Sequence, residues 1–158
     1  MSVNERIALR RKELGLTDVE TARRCGLSIS EYDDIERYAE EIFELVPLHS
    51  VKRLCDVLQV DFFDLFEIPC AFCEGGKSFV EEYRLPRSEV IRKRREAKGW
   101  SADELGDRVG FYEVEIHKLE QEQGHLESWR LDSIKELAAE IEVPLQVLLG
   151  VKCRKCGR

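Results

Sequence analysis

The stretch Leu65-Phe66-Glu67-Ile68-Pro69-Cys70-Ala71-Phe72-Cys73 returns 83 residues later as Leu148-Leu149-Gly150-Val151-Lys152-Cys153-Arg154-Lys155-Cys156. Cys70 falls on Cys153 and Cys73 on Cys156. Ahead of them Leu65 falls on Leu148, Phe66 on Leu149 and Ile68 on Val151. The match runs further upstream: Val60 on Val143, Leu58 on Ile141, Leu54 on Leu137. Each CxxC therefore closes a repeated unit, and the chain carries two copies of that unit; a repeat of this kind governs every other reading of the chain.

Two copies in 158 residues leave about 65–70 residues apiece, close to the lower limit for a self-sufficient core, where a metal staple helps. Apolar residues make up 43% and charged residues 36% of the chain. No apolar run reaches membrane-span length and the N-terminus has no signal-peptide core, so a cytoplasmic protein with no membrane partner is expected. Six cysteines in that setting point to metal or redox chemistry rather than a disulfide frame. The net charge of −7 is uneven: residues 1–68 carry −6, residues 69–86 carry −1 and residues 87–158 are neutral. Four thiolates on one Zn²⁺ would bring the total to −9. Such a surface repels nucleic-acid phosphates at long range.

Residues 5–14 fit a helix with Ile7 and Leu14 inward, Arg10, Arg11 and Lys12 outward, and Gly15 at its end. Thr17 with Glu20 and Ser28 with Glu31 are capping-box pairs that start two more helices. Ala22 and Cys25 are inward on the first of these, Tyr32 and Ile35 on the second, and Gly26-Leu27 turns between them. Further helices fit 48–58 and 61–66. The second copy repeats the scheme at an offset of 84: Gly99 for Gly15, Ser101 and Glu104 for a cap, Gly110 for Gly26, Phe111 for Leu27, Ile116 for Tyr32, Leu119-Glu120 for Ile35-Glu36. The offset drops to 83 in the loop before Leu131. Leu131, Ile134, Leu137 and Ile141 then mark a fourth helix, and a last short one ends at Gly150. Between the copies, residues 77–84 read as a short strand or extended linker, bounded by Leu85-Pro86.

The run Leu16-Thr17-Asp18-Val19-Glu20-Thr21-Ala22-Arg23-Arg24-Cys25-Gly26-Leu27-Ser28, followed by Ile35-Glu36, resembles the helix-turn-helix of the lambda-repressor/Cro (Xre) family. The resemblance covers nearly all of residues 4–68, and the second copy shares it. It implies an all-α fold of two five-helix helix-turn-helix domains, at 1–68 and 87–150. Residues 69–86 form a linker with the first CxxC, and residues 151–158 hold the second. The resemblance also implies transcription regulation, with the third helix of each domain entering the major groove. That helix opens here with Ile29, Ser30, Glu31, Asp33 and Asp34 in the first copy, and with Glu113, Val114, Glu115, His117 and Lys118 in the second. Where the family often has a phosphate-binding Gln, this chain has Asp18 and Ala102. An acid can accept from cytosine N4, but several acids on one face bring like charge to the phosphates. The expectation is a non-catalytic regulator acting through protein contacts, with Glu31, Asp33, Asp34, Glu113 and Glu115 as the partner surface. The alternative is a DNA-binding repressor or activator led by the second copy, touching duplex DNA through Arg92, Lys93, Arg94, Arg95, His117 and Lys118. The bland reading of those cations is a solvated helix face.

Two CxxC pairs at equivalent positions supply the four soft ligands that a tetrahedral Zn²⁺ takes. Cys70, Cys73, Cys153 and Cys156 are the expected ligands of one structural zinc per chain, which joins the copies as an intramolecular pseudo-dimer. The same pairing could be exchanged between two chains of a homodimer. A zinc-linked redox or metal sensor is a further alternative; a plain thiol–disulfide couple lacks its usual strand–helix setting. Cys25 and Cys55 align with Val109 and Ala138 and read as core residues. His49, His117 and His125 show no ligand spacing. Trp100, Phe111, Phe62, Phe63 and Phe66 sit at or beside repeat core positions, whereas Phe79, Tyr83 and Trp129 lie outside the repeat and are candidate contact residues. No nucleophile–base pair, phosphate-binding glycine loop or open metal site is evident, so neither an enzyme nor a small-molecule substrate is expected.

Overall fold

A computed structural model describes residues Met1–Arg158. The chain is all-helical, with eleven α-helices, two 3-10 turns and no strand. It divides into two compact units, Met1–Pro69 and Cys70–Arg158. No helix is long and apolar enough to cross a membrane.

The first unit holds α1 (Val3–Glu13), α2 (Asp18–Cys25), α3 (Ile29–Arg37), α4 (Glu41–Glu44), α5 (Leu48–Leu58) and α6 (Phe62–Phe66). α1 begins two residues before the expected start, because Ser2 and Glu5 form a capping box there. Ser28 and Glu31 form another at α3. At α2 the Glu20 N–H donates to Thr17 Oγ1 at 3.1 Å, while the Glu20 carboxylate faces Arg24 at 3.9 Å. Gly26 ends α2 in the left-handed region, φ 74°, and the Leu27 N–H donates to Ala22 O. The core gathers Ile7, Ala22, Cys25, Tyr32, Ile35, Leu48, Val51, Leu54 and Leu58. α4 has no counterpart in the sequence reading; it is a single turn that buries Ile42.

The second unit opens on the first CxxC and a 3-10 turn, Glu81–Arg84, where a strand or extended linker was expected. α7 (Arg87–Ala97), α8 (Ala102–Val109) and α9 (Glu113–Gln121) follow, then a 3-10 turn at His125–Ser128, α10 (Leu131–Glu140) and α11 (Leu145–Leu149). The bounds of α7, α8 and α9 lie 84 residues after those of α1, α2 and α3; α10 starts, and α11 starts and ends, 83 after α5 and α6. The 3-10 turn at His125 stands 84 residues after α4 and buries Leu126 as α4 buries Ile42. Trp129 is buried and stacks on Phe111 with ring centroids 4.0 Å apart. Arg87 ties α7 to α11 through Leu148 O at 2.9 Å.

One ion pair recurs in both units. The Arg11 guanidinium meets Glu36 through Nε at 2.5 Å and Nη2 at 2.9 Å, and its Nη1 donates to Leu16 O. Arg95 meets Glu120 at 2.6 and 2.9 Å and donates to Trp100 O. Each is the two-pronged geometry in which a guanidinium binds a carboxylate most strongly. Arg11 was expected on a solvated face; instead it bolts the first helix of its unit to the third.

Candidate metal centre

Cys70 and Cys73 follow the end of the first unit's last helix in sequence but belong to the second unit, which thus supplies all four cysteines from one chain. Their Sγ atoms lie within 4.8 Å of one another. Cys70 and Cys156 are 3.7 Å apart, Cys73 and Cys153 3.8 Å. A tetrahedron with metal–sulfur bonds of about 2.3 Å has edges of about 3.8 Å, so these separations suit one tetrahedral ion. They are far from the S–S bond length of about 2.05 Å. All four are free cysteines. The donor set is soft and all-sulfur, which selects a thiolate-loving metal over an oxygen-loving one.

The backbone prepares the sulfurs for that charge. After Cys70 the chain turns back on itself, with the Glu74 and Gly75 N–H groups on Cys70 O at 3.0 and 2.8 Å. After Cys153 the Gly157 N–H donates to Cys153 O at 2.8 Å. Burial works against ionising Cys70, yet the main-chain N–H groups of Cys73 and Phe72 and the neighbouring sulfurs hold its thiol down to about 6. Desolvation and the bonds to Cys70, Cys153 and Cys156 push Cys73 up to about 12. With Cys70 lowered but Cys73 and Cys156 raised, a bound cation is what would gather several thiolates at one point. By contrast, burial raises Cys25 to about 11 and Cys55 to about 12, in keeping with core thiols.

Gln146, on α11 and 5% exposed, joins the two CxxC turns. Its Oε1 accepts from the Ala71 N–H at 3.1 Å and lies 3.4 Å from Cys70 Sγ. Its Nε2 donates at 2.7 Å to the Arg158 main-chain oxygen, which also receives the Cys153 N–H at 2.8 Å. Outside, the Lys155 ammonium pairs with Glu74. Such outer partners orient ligands and tune a metal. The sequence reading missed Gln146. Its signal was a polar residue standing where the first copy has Phe63, inside an otherwise apolar helix.

The residues proposed for DNA contact all lie within 4.0 Å of a carboxylate. Arg95 is held by Glu120, and Arg94 by Glu82 at 2.9 Å with its guanidinium 5.6 Å from the Tyr83 ring centroid. Arg92 and Lys93 are exposed and lie 4.0 and 3.7 Å from Glu89. On α9, Lys118 pairs with Glu115 at 2.9 Å and His117 with Glu113 at 3.2 Å. Glu115 also meets His125 at 2.8 Å, and its carboxyl is held below its ordinary value by the His125 and Lys118 bonds. Of the partner-surface candidates, Glu31 is exposed and closes the Ser28 cap, Asp33 and Asp34 are half-buried on α3, and Glu113 is exposed at the start of α9. Among them stand apolar side chains: Ile29 on α3, and Tyr112 and Val114 at α9, 84% and 56% exposed. Comparison with protein-family models, curated proteins and solved structures found no match to this chain.

Proposed function

We propose that the chain is a non-catalytic regulator built on two lambda-repressor-like helix-turn-helix domains. One structural zinc on Cys70, Cys73, Cys153 and Cys156 braces the second domain, and the protein works in the cytoplasm through protein contacts. The observation that carries this reading is the character of the two presenting helix starts. Ile29 beside Glu31, and Tyr112 and Val114 beside Glu113, form apolar–acidic faces. A helix that reads DNA offers amides, hydroxyls and cations to base edges and phosphates. Exposed Tyr and Val interleaved with glutamates instead suit a basic protein surface with an apolar centre. The ion pairs of Arg94, Arg95 and Lys118 support the same reading, since cations already bonded to carboxylates are poor phosphate anchors.

The test is fluorescence anisotropy of labelled random-sequence duplex DNA, titrated with zinc-loaded protein at about 50 mM and about 200 mM salt, where phosphate contacts show a steep dependence. No binding at either salt is expected. Binding at the lower salt that collapses at the higher would overturn the reading in favour of DNA recognition by the second domain, with Arg92 and Lys93 as the anchoring cations.

A further inference from the structure

Beside the cysteine cluster the second unit has a cleft of about 460 Å³, within the range of small-molecule sites. Three aromatic rings form one wall: Phe72 and Phe79 meet edge to face at 5.0 Å, and Tyr83 lies 6.0 Å from each. Three cations, Arg84, Lys152 and Arg158, also line the cleft, together with Val147, Val151 and backbone, and no acidic side chain does. In a chain of net charge −7 that segregation stands out. Arg84 and Arg158 place their guanidinium carbons 5.3 and 5.4 Å from the centroid of the same ring, Phe79. The two like charges thus lie within about 11 Å of each other, held by cation–π attraction to one ring. Arg84 does meet Glu81 at 3.1 Å, but both are exposed, so this pair is weak and open to exchange. Gln146 reaches the cleft with both ends of its amide already bonded to the CxxC turns.

We propose that this cleft binds a nucleotide. The base packs against the Phe72–Phe79–Tyr83 wall, and the phosphates sit among Arg84, Arg158 and Lys152, whose like charges a bound anion offsets. Aromatic stacking and charge-assisted bonds are the two recognition modes on offer. The Gln146 amide is occupied by the CxxC turns and stacking on aromatic rings tolerates any base, so purine identity matters little. This site is independent of the helix starts assigned to protein contact.

The experiment is isothermal titration calorimetry of the zinc-loaded full chain at about 50 mM salt, with ADP, GDP, adenosine and pyrophosphate as separate probes. ADP and GDP bind at one site per chain with affinities within about threefold, and adenosine and pyrophosphate each bind at least about tenfold more weakly, because each keeps only one of the two recognition modes. The double variant R84E/K152E, at exposed positions, lowers ADP affinity at least about tenfold through charge reversal, with zinc content and helical circular dichroism unchanged. Y83L, at a ring that holds none of the three cleft cations, lowers ADP affinity and leaves pyrophosphate unaffected. No heat with ADP would overturn the proposal. So would pyrophosphate binding as tightly as ADP, or ADP affinity unmoved in the double variant.

Discussion

Arg11 with Glu36 and Arg95 with Glu120 show what a helix wheel does not. Both arginines occupy runs of cations that read as solvated from the sequence, and each is held by a glutamate 25 residues on. Glu120 is 6% exposed on its side chain, so taking away its arginine strands a carboxylate in the interior. Arg95→Met should cost about 3 kcal/mol, the scale on which breaking one side of a buried pair is felt. Trp100 and Trp129 both lie in the second unit, so tryptophan fluorescence in urea reads that unit alone; a midpoint like that of the parent would refute the structural role. The first unit has a pH signature. Burial alone would raise Glu36, but the Arg11 guanidinium outweighs it and holds the carboxyl below 4.5. A carboxyl depressed in the folded state stabilises above the ordinary carboxylate range and gives that up as pH falls through its folded pKa. Unfolding followed by far-ultraviolet circular dichroism should therefore show stability lost as pH falls below the ordinary carboxylate range, and Glu36→Gln should flatten that loss. An equal pH slope in the variant would contradict this account.

At the scale of elements, the two copies differ most where their third helices begin. α3 starts with Ser28 and a complete capping box, whereas α9 starts with Tyr112, which makes no side-chain cap. Glu115 stands where the partner acid of a box would be. Tyr112→Ser should recreate the Ser28 arrangement and stabilise the second unit by about 1 kcal/mol, a typical cap contribution. A rise in its urea midpoint would mean that the exposed tyrosine is kept at the expense of stability, as a contact residue would be; no rise would remove that argument for the surface. α8 adds a second asymmetry. A Cβ on Gly106 would lie 2.5 Å from Phe111 O, although Ala22 fills the equivalent place in α2. Gly106→Ala should thus destabilise by about 1–3 kcal/mol through overpacking, against a helix-propensity gain of about 1 kcal/mol. The longer helices were legible because apolar spacing and caps agree over two or three turns. α4 was not, since four residues with one buried side chain, Ile42, carry no period. Residues 77–84 are too short and carry too few apolar positions to fix an element, and there Phe79 and Tyr83 pack on Phe72 with a 3-10 turn at Glu81–Arg84.

For the whole molecule, the cysteine spacing picked out the four sulfurs that lie together and could hold a metal, while the repeat suggested half a site from each copy. Sequence offset cannot show that Cys70 and Cys73 fold with the residues after them, because the partners that hold their turn, Gln146 and through it the Arg158 main-chain oxygen, come from far along the chain. That division has a consequence for metal removal. A structural ion contributes folding free energy directly, and its thiolate ligands make its affinity fall with pH. Stripping zinc with a chelator should leave amide exchange in Met1–Pro69 as it was, while protection is lost around residues 70–77, 145–149 and 153–158 and the tryptophan-monitored urea midpoint falls. Gln146→Ala should act in the same direction in the zinc-loaded protein by weakening retention of the ion about 10-fold or more, the usual scale for an outer partner of a metal site. Zinc release can be followed with a chromogenic chelator while circular dichroism reports the helices. Equal loss of protection in both units would mean that the ion stabilises more than Cys70–Arg158. Unchanged protection everywhere would mean that the four sulfurs stay together without it, against the push of Cys73 toward its protonated form.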